Sequence, residues 1–344
     1  MKNTISLIFS LLISLSVSQG QPSRTGQRFI LMSYNTENFF DTINDPHTAD
    51  DKFTPEGVMR WTGKRYHHKL KNIARVIGSV SENSYPDIVM LCEIENREVL
   101  EDLVRQPSIA KAHYRILHKD SHDPRGIDNA MLYRKEHFRL LSWRLIDFDY
   151  PGEKQKRTRG IIYVKGIVDG KDTLHVFGNH WKSRAGEEEE TESKRVFDAS
   201  LLKEKTDSIL RKNKHALIVC MGDFNDEPTN TSLSQVLGAA CPEGPGTKSR
   251  LVNLMCNLHL QGKGSYSYRG KWLMFDNIIV STALVLPGGD IEVEGNEGHI
   301  YAAPWLLKTN AKTGVTVPFK TYSGTRYLGG YSDHLPIFAI FTEK

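Results

Sequence analysis

The sequence lacks the short motifs that define several common enzyme classes. It has no glycine-rich loop of the Walker type and no Gly-x-Ser-x-Gly turn. These absences argue against a P-loop nucleotide site and an α/β serine hydrolase. The chain also has no internal repeat and no low-complexity linker at which it would divide into domains.

Long hydrophobic runs are confined to the N-terminus. Lys2 precedes an apolar run over residues 5–17, broken only by serines, and small residues follow it. This pattern is typical of a secretory signal peptide, and the run is too short to cross a bilayer comfortably. We therefore expect residues 1–20 to be removed and residues 21–344 to form a soluble, secreted or periplasmic protein without membrane insertion. The alternative is a buried N-terminal strand or helix.

Charge and cysteine content set only loose bounds on function. The 344 residues carry a formal net charge of +4, which permits a polyanionic partner without requiring one. Cys92 and Cys220 lie in apolar runs and are expected to be small buried hydrophobes. Cys241 and Cys256 lie in a loop-rich stretch and could form a disulfide in an oxidising compartment, a question that the sequence leaves open.

Strand-like apolar runs recur along the chain, with helical periodicity between some of them. Helices are predicted over residues 61–80 and 187–210. Strands are predicted over residues 29–34, 87–92, 127–133, 138–146, 161–168, 173–177, 216–221, 274–280 and 335–341. The glycine-rich segments 287–298 and 323–330 are expected to be surface loops. Because strands and helices are spread evenly along the chain, we expect one α+β domain over residues 21–344, with two packed, mainly antiparallel sheets and helices outside.

Polar residues occur at the ends of six of these apolar runs. They are Asn35, Glu93, His180, Asp223 with Asn225, Asp276 with Asn277, and Asp333 with His334. A carboxylate beside a core strand is costly unless it is paired or binds a metal. Chance could supply one or two such positions, but six indicate that the strand ends converge on one cleft.

The residue types at these strand ends narrow the chemistry. Carboxylate and amide oxygens without cysteine are typical of a site for a hard cation, so Mg²⁺ is expected and Mn²⁺ is possible. Two histidines beside carboxylates or amides suit proton transfer and donation to phosphate oxygens. Metal-assisted hydrolysis of a phosphoester fits this combination best.

The strand-end segments also carry a resemblance to a known family. They read SYNTENFFD at 33–41, LCEIEN at 91–96, GNHWKSR at 178–184, GDFN at 222–225, FDNIIVS at 275–281 and SDH at 332–334. In order and spacing this series resembles the endonuclease/exonuclease/phosphatase superfamily, and most of all its secreted bacterial nuclease-like branch. The resemblance runs from about Phe29 to the C-terminus. It implies the deoxyribonuclease-I-like fold, a four-layer α/β/β/α sandwich.

The resemblance implies a metal site and a set of acid–base residues. The metal site would consist of Glu93 as main ligand, with Asn35 and Asp333 nearby. His334, oriented by Asp276, would contact the scissile phosphate or act as general base, and His180 would bind the phosphate or protonate the leaving group. Asp223 would position or deprotonate the attacking water, and Asn225 would hold a phosphate oxygen. Either Asp223 or His334 could be the general base, and the sequence does not decide between them.

Several of these residues have a structural alternative. Asn35 could cap a turn after its strand, and Asn225 lies in a Gly-Asp-x-Asn sequence that is common in turns. Asn129 could line the cleft or form a turn. Lys182 and Arg184 follow His180 and could contact substrate phosphates, or they could simply be solvated.

The function that we expect is a secreted, Mg²⁺-dependent phosphodiesterase, in particular a nuclease. It would hydrolyse phosphodiester bonds in DNA or RNA through attack by metal-activated water, as a monomer. One alternative is a phosphatase or lipid phosphodiesterase of the same superfamily, acting on inositol phosphates or sphingomyelin. Another is a binding module that has kept the fold without catalysis.

Overall fold

A computed structural model describes residues 28–153, 158–242 and 249–343. The α-helices are α1 (Gly63–Ser79), α2 (Arg97–Val104), α3 (Glu188–Lys212) and α4 (Cys256–Leu260). The strands of the first half are β1 (Arg28–Phe39), β2 (Ile88–Ile94), β3 (Arg115–His118), β4 (Asp128–Tyr133), β5 (Phe138–Ile146), β6 (Ile161–Val168) and β7 (Asp172–His180). The expected signal peptide at 1–20 lies outside the described residues.

The second half has many short strands. They are β8 (Leu217–Asp223), β9 (Ala239–Ala240), β10 (Leu251–Asn253), β11 (Tyr266–Tyr268), β12 (Lys271–Leu273), β13 (Asp276–Ser281), β14 (Ile291–Val293), β15 (His299–Ile300), β16 (Leu307–Thr309), β17 (Thr316–Pro318), β18 (Tyr322–Ser323), β19 (Arg326–Tyr327) and β20 (Ile337–Glu343). Short 3₁₀ helices span Asp51–Phe53, Ala110–Ala112, Thr282–Leu284, Glu294–Asn296 and Pro304–Leu306, and a π-helical segment spans Ser232–Leu237.

Two seven-stranded sheets form the centre of the fold. The first sheet has the order β14-β20-β1-β2-β4-β3, with β15 also paired to β20, and only β1 and β2 are parallel neighbours. The second sheet has the order β5-β6-β7-β8-β13-β10-β9, in which the pairs β7/β8 and β9/β10 are parallel. The prediction of two mainly antiparallel sheets is confirmed.

The side chains of each strand alternate between the two faces of its sheet, which explains why the sheets stack on one face and are covered by helices on the other. In β2, Met90 and Cys92 belong to the core between the two sheets, whereas Val89 and Leu91 belong to the core beneath α1 and α2. Successive side chains point to opposite faces, so a strand that is buried on both faces reads as one continuous apolar run. The helix α3 covers the outer face of the second sheet. The result is the predicted α/β/β/α sandwich.

Two segments differ from the expectation of surface loops. Residues 287–298 contain the edge strand β14, in which Ile291 and Val293 are buried against β20. Residues 323–330 contribute to the β18–β19 hairpin. Strands of two or three residues are too short to show a period of two, and the flanking glycines indicated loops instead.

The cysteines fall into the two expected kinds. Cys92 and Cys220 are fully buried inside strands. Cys241 and Cys256 are joined in a disulfide, with their Cα atoms 5.3 Å apart, which is within the ordinary range for such a bridge. Among the described residues, every helix falls short of the length and apolar character needed to cross a membrane.

Candidate active site

Strand register brings the predicted residues together at one edge of the sandwich. In the second sheet, His180 lies opposite Asp223 on the parallel pair β7/β8, and Asp223 lies opposite Asp276 on the antiparallel pair β8/β13. From the first sheet, Asn35 of β1 donates a hydrogen bond of 3.0 Å from Nδ2 to Oδ2 of Asp223. This bond joins the two sheets at the site.

A cleft of about 500 Å³ opens at this edge. Its lining includes eight of the predicted residues, namely Asn35, Glu93, His180, Arg184, Asp223, Asn225, Asp333 and His334. Asp276 is fully buried directly behind His334. The six strand ends identified in the sequence therefore meet in one place.

His334 and Asp276 form a short hydrogen-bonded pair. The imidazole Nδ1 donates to Oδ2 of Asp276 at 2.6 Å, and the same oxygen accepts a bond of 2.6 Å from the Ser265 hydroxyl. Burial opposes the charged form of His334, but the carboxylates of Asp276 and Asp223 raise its pKa well above the ordinary value. The pair therefore fixes the tautomer and the orientation of the His334 ring. Its other nitrogen, Nε2, lies 3.8 Å from Asp223 Oδ2.

Asp223 occupies the centre of the site. Its Oδ1 accepts a hydrogen bond of 2.8 Å from the backbone N–H of Asn225, and its Oδ2 accepts the bond from Asn35. Burial raises its pKa to about 6, with the charge of Asp276 adding to the increase and His334 opposing it. A carboxylate in this range is ionised at neutral pH and still basic enough to take a proton from water.

His180 is buried and uncharged. Burial is the main cause that lowers its pKa well below the ordinary value, and the cations Arg159 and Arg125 lower it further. Its Nε2 lies 3.6 Å from Asp223 Oδ2 and 4.0 Å from Glu93 Oε1. A neutral imidazole at this position can donate one hydrogen bond to a phosphate oxygen, but it is a poor proton source for a leaving group.

The donor set on the other side of the cleft fits a hard divalent cation. Glu93 has a left-handed backbone (φ 65°) and accepts a bond of 2.7 Å at Oε2 from the Asn38 backbone N–H. Burial raises the pKa of the Asp333 carboxyl, and the charge of Glu93 raises it further. Two carboxylates that repel each other beside an amide oxygen of Asn35 are suited to Mg²⁺ or Mn²⁺.

A second cluster of possible metal ligands lies next to this one. Ligand atoms of Asp223, Asp276 and His334 all lie within 4.8 Å of one another. However, His334 Nδ1 and Asp276 Oδ2 are bonded to each other, and that oxygen also accepts from Ser265. Asp276 Oδ2 is thus occupied by two protein donors, so Glu93, Asn35 and Asp333 are the better candidate ligands.

A buried lysine stands behind the metal side of the site. Lys69 of α1 donates from Nζ to the Glu37 carbonyl (2.9 Å), the Thr321 hydroxyl (2.6 Å) and the Tyr331 carbonyl (3.1 Å). An ammonium group has three donors, and all three are used. The lysine thereby connects the end of β1 to the segment that leads into Asp333.

The three candidates for contact with substrate phosphates, Asn129, Lys182 and Arg184, are placed differently from one another. Asn129 is buried in β4, donates to the Gly160 carbonyl at 3.0 Å and is not part of the cleft lining. Lys182 is also outside the lining. Arg184 lines the cleft, but its guanidinium donates to the Asn225 carbonyl (2.8 Å) and to the Asp226 carboxylate (2.7 Å), so it mainly holds this loop.

Sequence reasoning missed a group of residues that also line the cleft. They are Arg125, Arg159, Tyr266, Tyr268 and Phe275. Tyr266 stacks on Phe275 with ring centroids 5.3 Å apart and lies 4.7 Å from the His334 ring, so the wall beside His334 is aromatic. The two tyrosines belong to the short hairpin β11–β12, which gave no strand signal in the sequence.

Comparison with known proteins gives the class of this protein. The family model described as "Endonuclease/Exonuclease/phosphatase family" matches residues 30–344. The chain therefore belongs to this family and is a hydrolase of the nuclease and phosphatase type. No curated protein sequence matches it.

Solved structures with the same fold come from animals and bacteria. A humanized D. rerio TDP2 has a TM-score of 0.56 at 14% identity, covering 92% of this chain and 99% of that chain. An endonuclease/exonuclease/phosphatase family protein from Bacteroides thetaiotaomicron has a TM-score of 0.53 at 16% identity, covering 93% and 99%. The human Nocturnin catalytic domain with bound sulfate has a TM-score of 0.53 at 16% identity, covering 92% and 95%. At these identities the similarity establishes the deoxyribonuclease-I-like fold alone.

Proposed function

We propose that this protein is a metal-dependent phosphodiesterase that cleaves DNA or RNA. The observation that carries the proposal is the arrangement of one cleft, in which the Asp276–His334 pair and Asp223 face the carboxylates of Glu93 and Asp333. Acid–base groups beside oxygen ligands form the combination that metal-assisted phosphoester hydrolysis requires.

The pKa shifts of Asp223 and His334, the two candidate bases, favour a different role for each of them. Asp223, with a pKa of about 6, is ionised at neutral pH and would accept a proton from the attacking water. His334, with a raised pKa, would stay protonated and donate from Nε2 to a phosphate oxygen. His180 would donate a further hydrogen bond as a neutral imidazole, and Asn225 would hold the loop beside the phosphate.

The metal side would be formed by Glu93, Asn35 and Asp333. A bound Mg²⁺ or Mn²⁺ would neutralise charge on the phosphate and lower the pKa of a bound water. The chain's own contribution is to hold the Glu93 carboxylate through the Asn38 N–H.

Nucleic acid is the favoured substrate for two reasons. The cleft combines the exposed ring of Tyr268 with the cation of Arg125, and stacking surfaces beside cations suit a nucleotide strand. A related D. rerio TDP2 has also been solved in a complex described as "complexed with single strand DNA product", with a TM-score of 0.51 at 16% identity.

An activity screen tests this proposal. The purified protein would be incubated with plasmid DNA, single-stranded DNA, RNA, an inositol phosphate and sphingomyelin, with Mg²⁺ or with a chelator. We expect cleavage of a nucleic acid that requires the metal and is lost in Glu93→Gln. Turnover of the inositol phosphate or the lipid alone would replace the nuclease by one of the alternatives. Metal-independent cleavage, or full activity of Glu93→Gln, would refute the site.

We also propose that the protein acts outside the cytoplasm, as a monomer. The support for the location is the signal-peptide pattern of residues 1–20, together with the pairing of Cys241 with Cys256. Cell fractionation, N-terminal sequencing of the mature protein and its mass in solution test this. A cytoplasmic chain that still begins at Met1 would contradict the location.

A further inference from the structure

One cation in the cleft has hydrogen-bond donors to spare. Arg125 lies in the loop between β3 and β4, lines the cleft and has a side chain that is 47% exposed. Its Nε and Nη2 each donate to a different oxygen of Asp123 at 3.2 Å. A guanidinium has five N–H donors, so three have no acceptor among the residues that the structure describes.

The loop holds this cation in a fixed place. The Asp123 N–H donates to the Ser121 hydroxyl (3.1 Å), while the Arg125 N–H donates to Asp123 Oδ1 (2.9 Å) and the Gly126 N–H to the Asp123 carbonyl (2.9 Å). Gly126 has the left-handed backbone (φ 68°) that closes this turn. A side chain that is anchored through its own loop loses little entropy when it binds a ligand.

A second arginine ties the loop to the catalytic centre. Arg159 is buried, lies 3.5 Å from Asp123 Oδ2 through Nη1, and donates to the carbonyls of His180 (3.0 Å) and Trp181 (2.6 Å). Asp123 is therefore held between two guanidinium groups, and the position of Arg125 is set relative to His180. Burying such a set of charges is costly, and the cations also disfavour the protonated form of His180. An anionic ligand would offset this cost.

Arg125 lies on the far side of the cleft from His334. His334 precedes β20 and Arg125 precedes β4, and these strands are separated in the first sheet by β1 and β2. Three strand spacings are about 14 Å. In agreement, Arg125 interacts electrostatically with Glu93 and His180, whereas the charges that act on His334 belong to Asp276, Asp223 and Asp333.

We propose that Arg125 binds a phosphate of the substrate strand next to the phosphate that is cut. The cleft would then hold at least two consecutive phosphates of a polynucleotide. This inference rests on the proposed nuclease function and adds to it the minimum length of the substrate. It also assigns Asp123 and Arg159 as positioning residues for the Arg125 guanidinium.

Equilibrium binding tests the proposal without depending on turnover. The affinity of a fluorescent single-stranded oligonucleotide and of a dinucleotide, which has one phosphodiester, would be measured with Mg²⁺ in the Glu93→Gln background. Adding Arg125→Met should weaken oligonucleotide binding about 10- to 100-fold, the range for losing a charged hydrogen bond. Dinucleotide binding should stay unchanged. Arg125→Lys should recover part of the lost affinity, because lysine keeps the positive charge but lacks the planar set of donors of the guanidinium.

Arg97→Met is the matched control. Arg97 is 52% exposed and pairs with Glu101 through Nε at 3.2 Å, as Arg125 pairs with Asp123, but it lies on α2 outside the cleft lining. An equal loss in Arg97→Met would attribute the effect to overall charge and overturn the proposal. So would unchanged oligonucleotide binding in Arg125→Met, or an equal loss for the dinucleotide.

The two proposals fail in different ways. If wild-type protein turns over a nucleic acid and Arg125→Met keeps its affinity for the oligonucleotide, only the role of Arg125 is refuted. If the protein neither binds nor cleaves a nucleic acid, both are refuted. Thermal melting of each variant ensures that a folded protein is compared.

Discussion

Asp276→Asn is the sharpest test of the mechanism. The substitution keeps the shape of a fully buried side chain and removes its charge. Oδ2 of Asp276 accepts two bonds of 2.6 Å, from His334 and from Ser265, so the carboxylate is what orients the imidazole. An amide at this position carries no negative charge to stabilise the imidazolium, so His334 becomes neutral more easily and Nε2 donates a weaker hydrogen bond to the phosphate.

The expected loss follows from these bonds. A hydrogen bond to a charged group contributes about 1.5–3 kcal/mol, which alone corresponds to about 10- to 150-fold in rate. Loss of a correctly protonated acid–base group brings the total to about 100- to 10,000-fold in kcat. KM should change little, because the cleft surface is unaltered.

A change in pH dependence accompanies the loss of rate. Asp276 raises the pKa of His334, so removing its charge makes His334 lose its proton at a lower pH. The limb of the pH–rate profile that reports this deprotonation should therefore move to lower pH in Asp276→Asn. Steady-state kinetics on an oligonucleotide over a range of pH measures both effects.

Asp87→Asn is the control for this experiment. Asp87 is also a buried aspartate, paired with Arg134 at 3.0 Å, but it belongs to the opposite end of the first sheet, where it accepts the Ile30 N–H. Its substitution should cost stability and leave kcat unchanged. A kcat for Asp276→Asn within a few-fold of wild type, or a similar fall in both variants, would show that His334 does not depend on Asp276.

Two further predictions concern stability. Burial and the nearby Lys165 lower the pKa of His175 to about 4, so between pH 4 and the ordinary value of 6.5 the unfolded chain binds a proton that the folded protein does not. Stability should therefore rise with pH across this window, and His175→Gln should flatten that rise in urea unfolding; an unchanged slope would contradict it. Replacing Cys241 and Cys256 by serine should lower the free energy of unfolding by about 3 kcal/mol, because their sequence separation is 15 residues. Guanidinium unfolding measures this, and a wild-type protein that reductant does not destabilise would argue against the bridge.

The sequence was most informative where a polar residue interrupts or ends a buried strand. Glu93 follows a run of apolar residues in β2, and Asp276 begins the fully buried β13. A carboxylate has no inexpensive reason to occupy such a place, so its presence alone indicates a partner or a metal. Register then brings these residues together, because each strand end reaches the same edge of the sandwich.

The sequence could not reveal which residues on loops and very short strands line the cleft. Arg125 lies in a turn whose composition is ordinary, and its importance depends on Asp123 and on Arg159, which is 34 positions along the chain from Arg125 by residue number. Tyr268 belongs to a three-residue strand that is shorter than any periodicity can reveal. Asn129 was predicted to line the cleft or to form a turn because it lies near the start of a strand-like run, but its side chain donates to the Gly160 carbonyl instead.

The position of β20 in the chain affects when the candidate active site can form during synthesis. This strand comes last among the described elements, yet it lies inside the first sheet, between β14 and β1. Asp333 and His334 follow every described element except β20, so they can join Glu93 only after those elements have been synthesised, although domains begin to fold from the N-terminus during synthesis. A site that needs Asp333 and His334 is therefore completed late in synthesis, after the second sheet and the other strands of the first sheet.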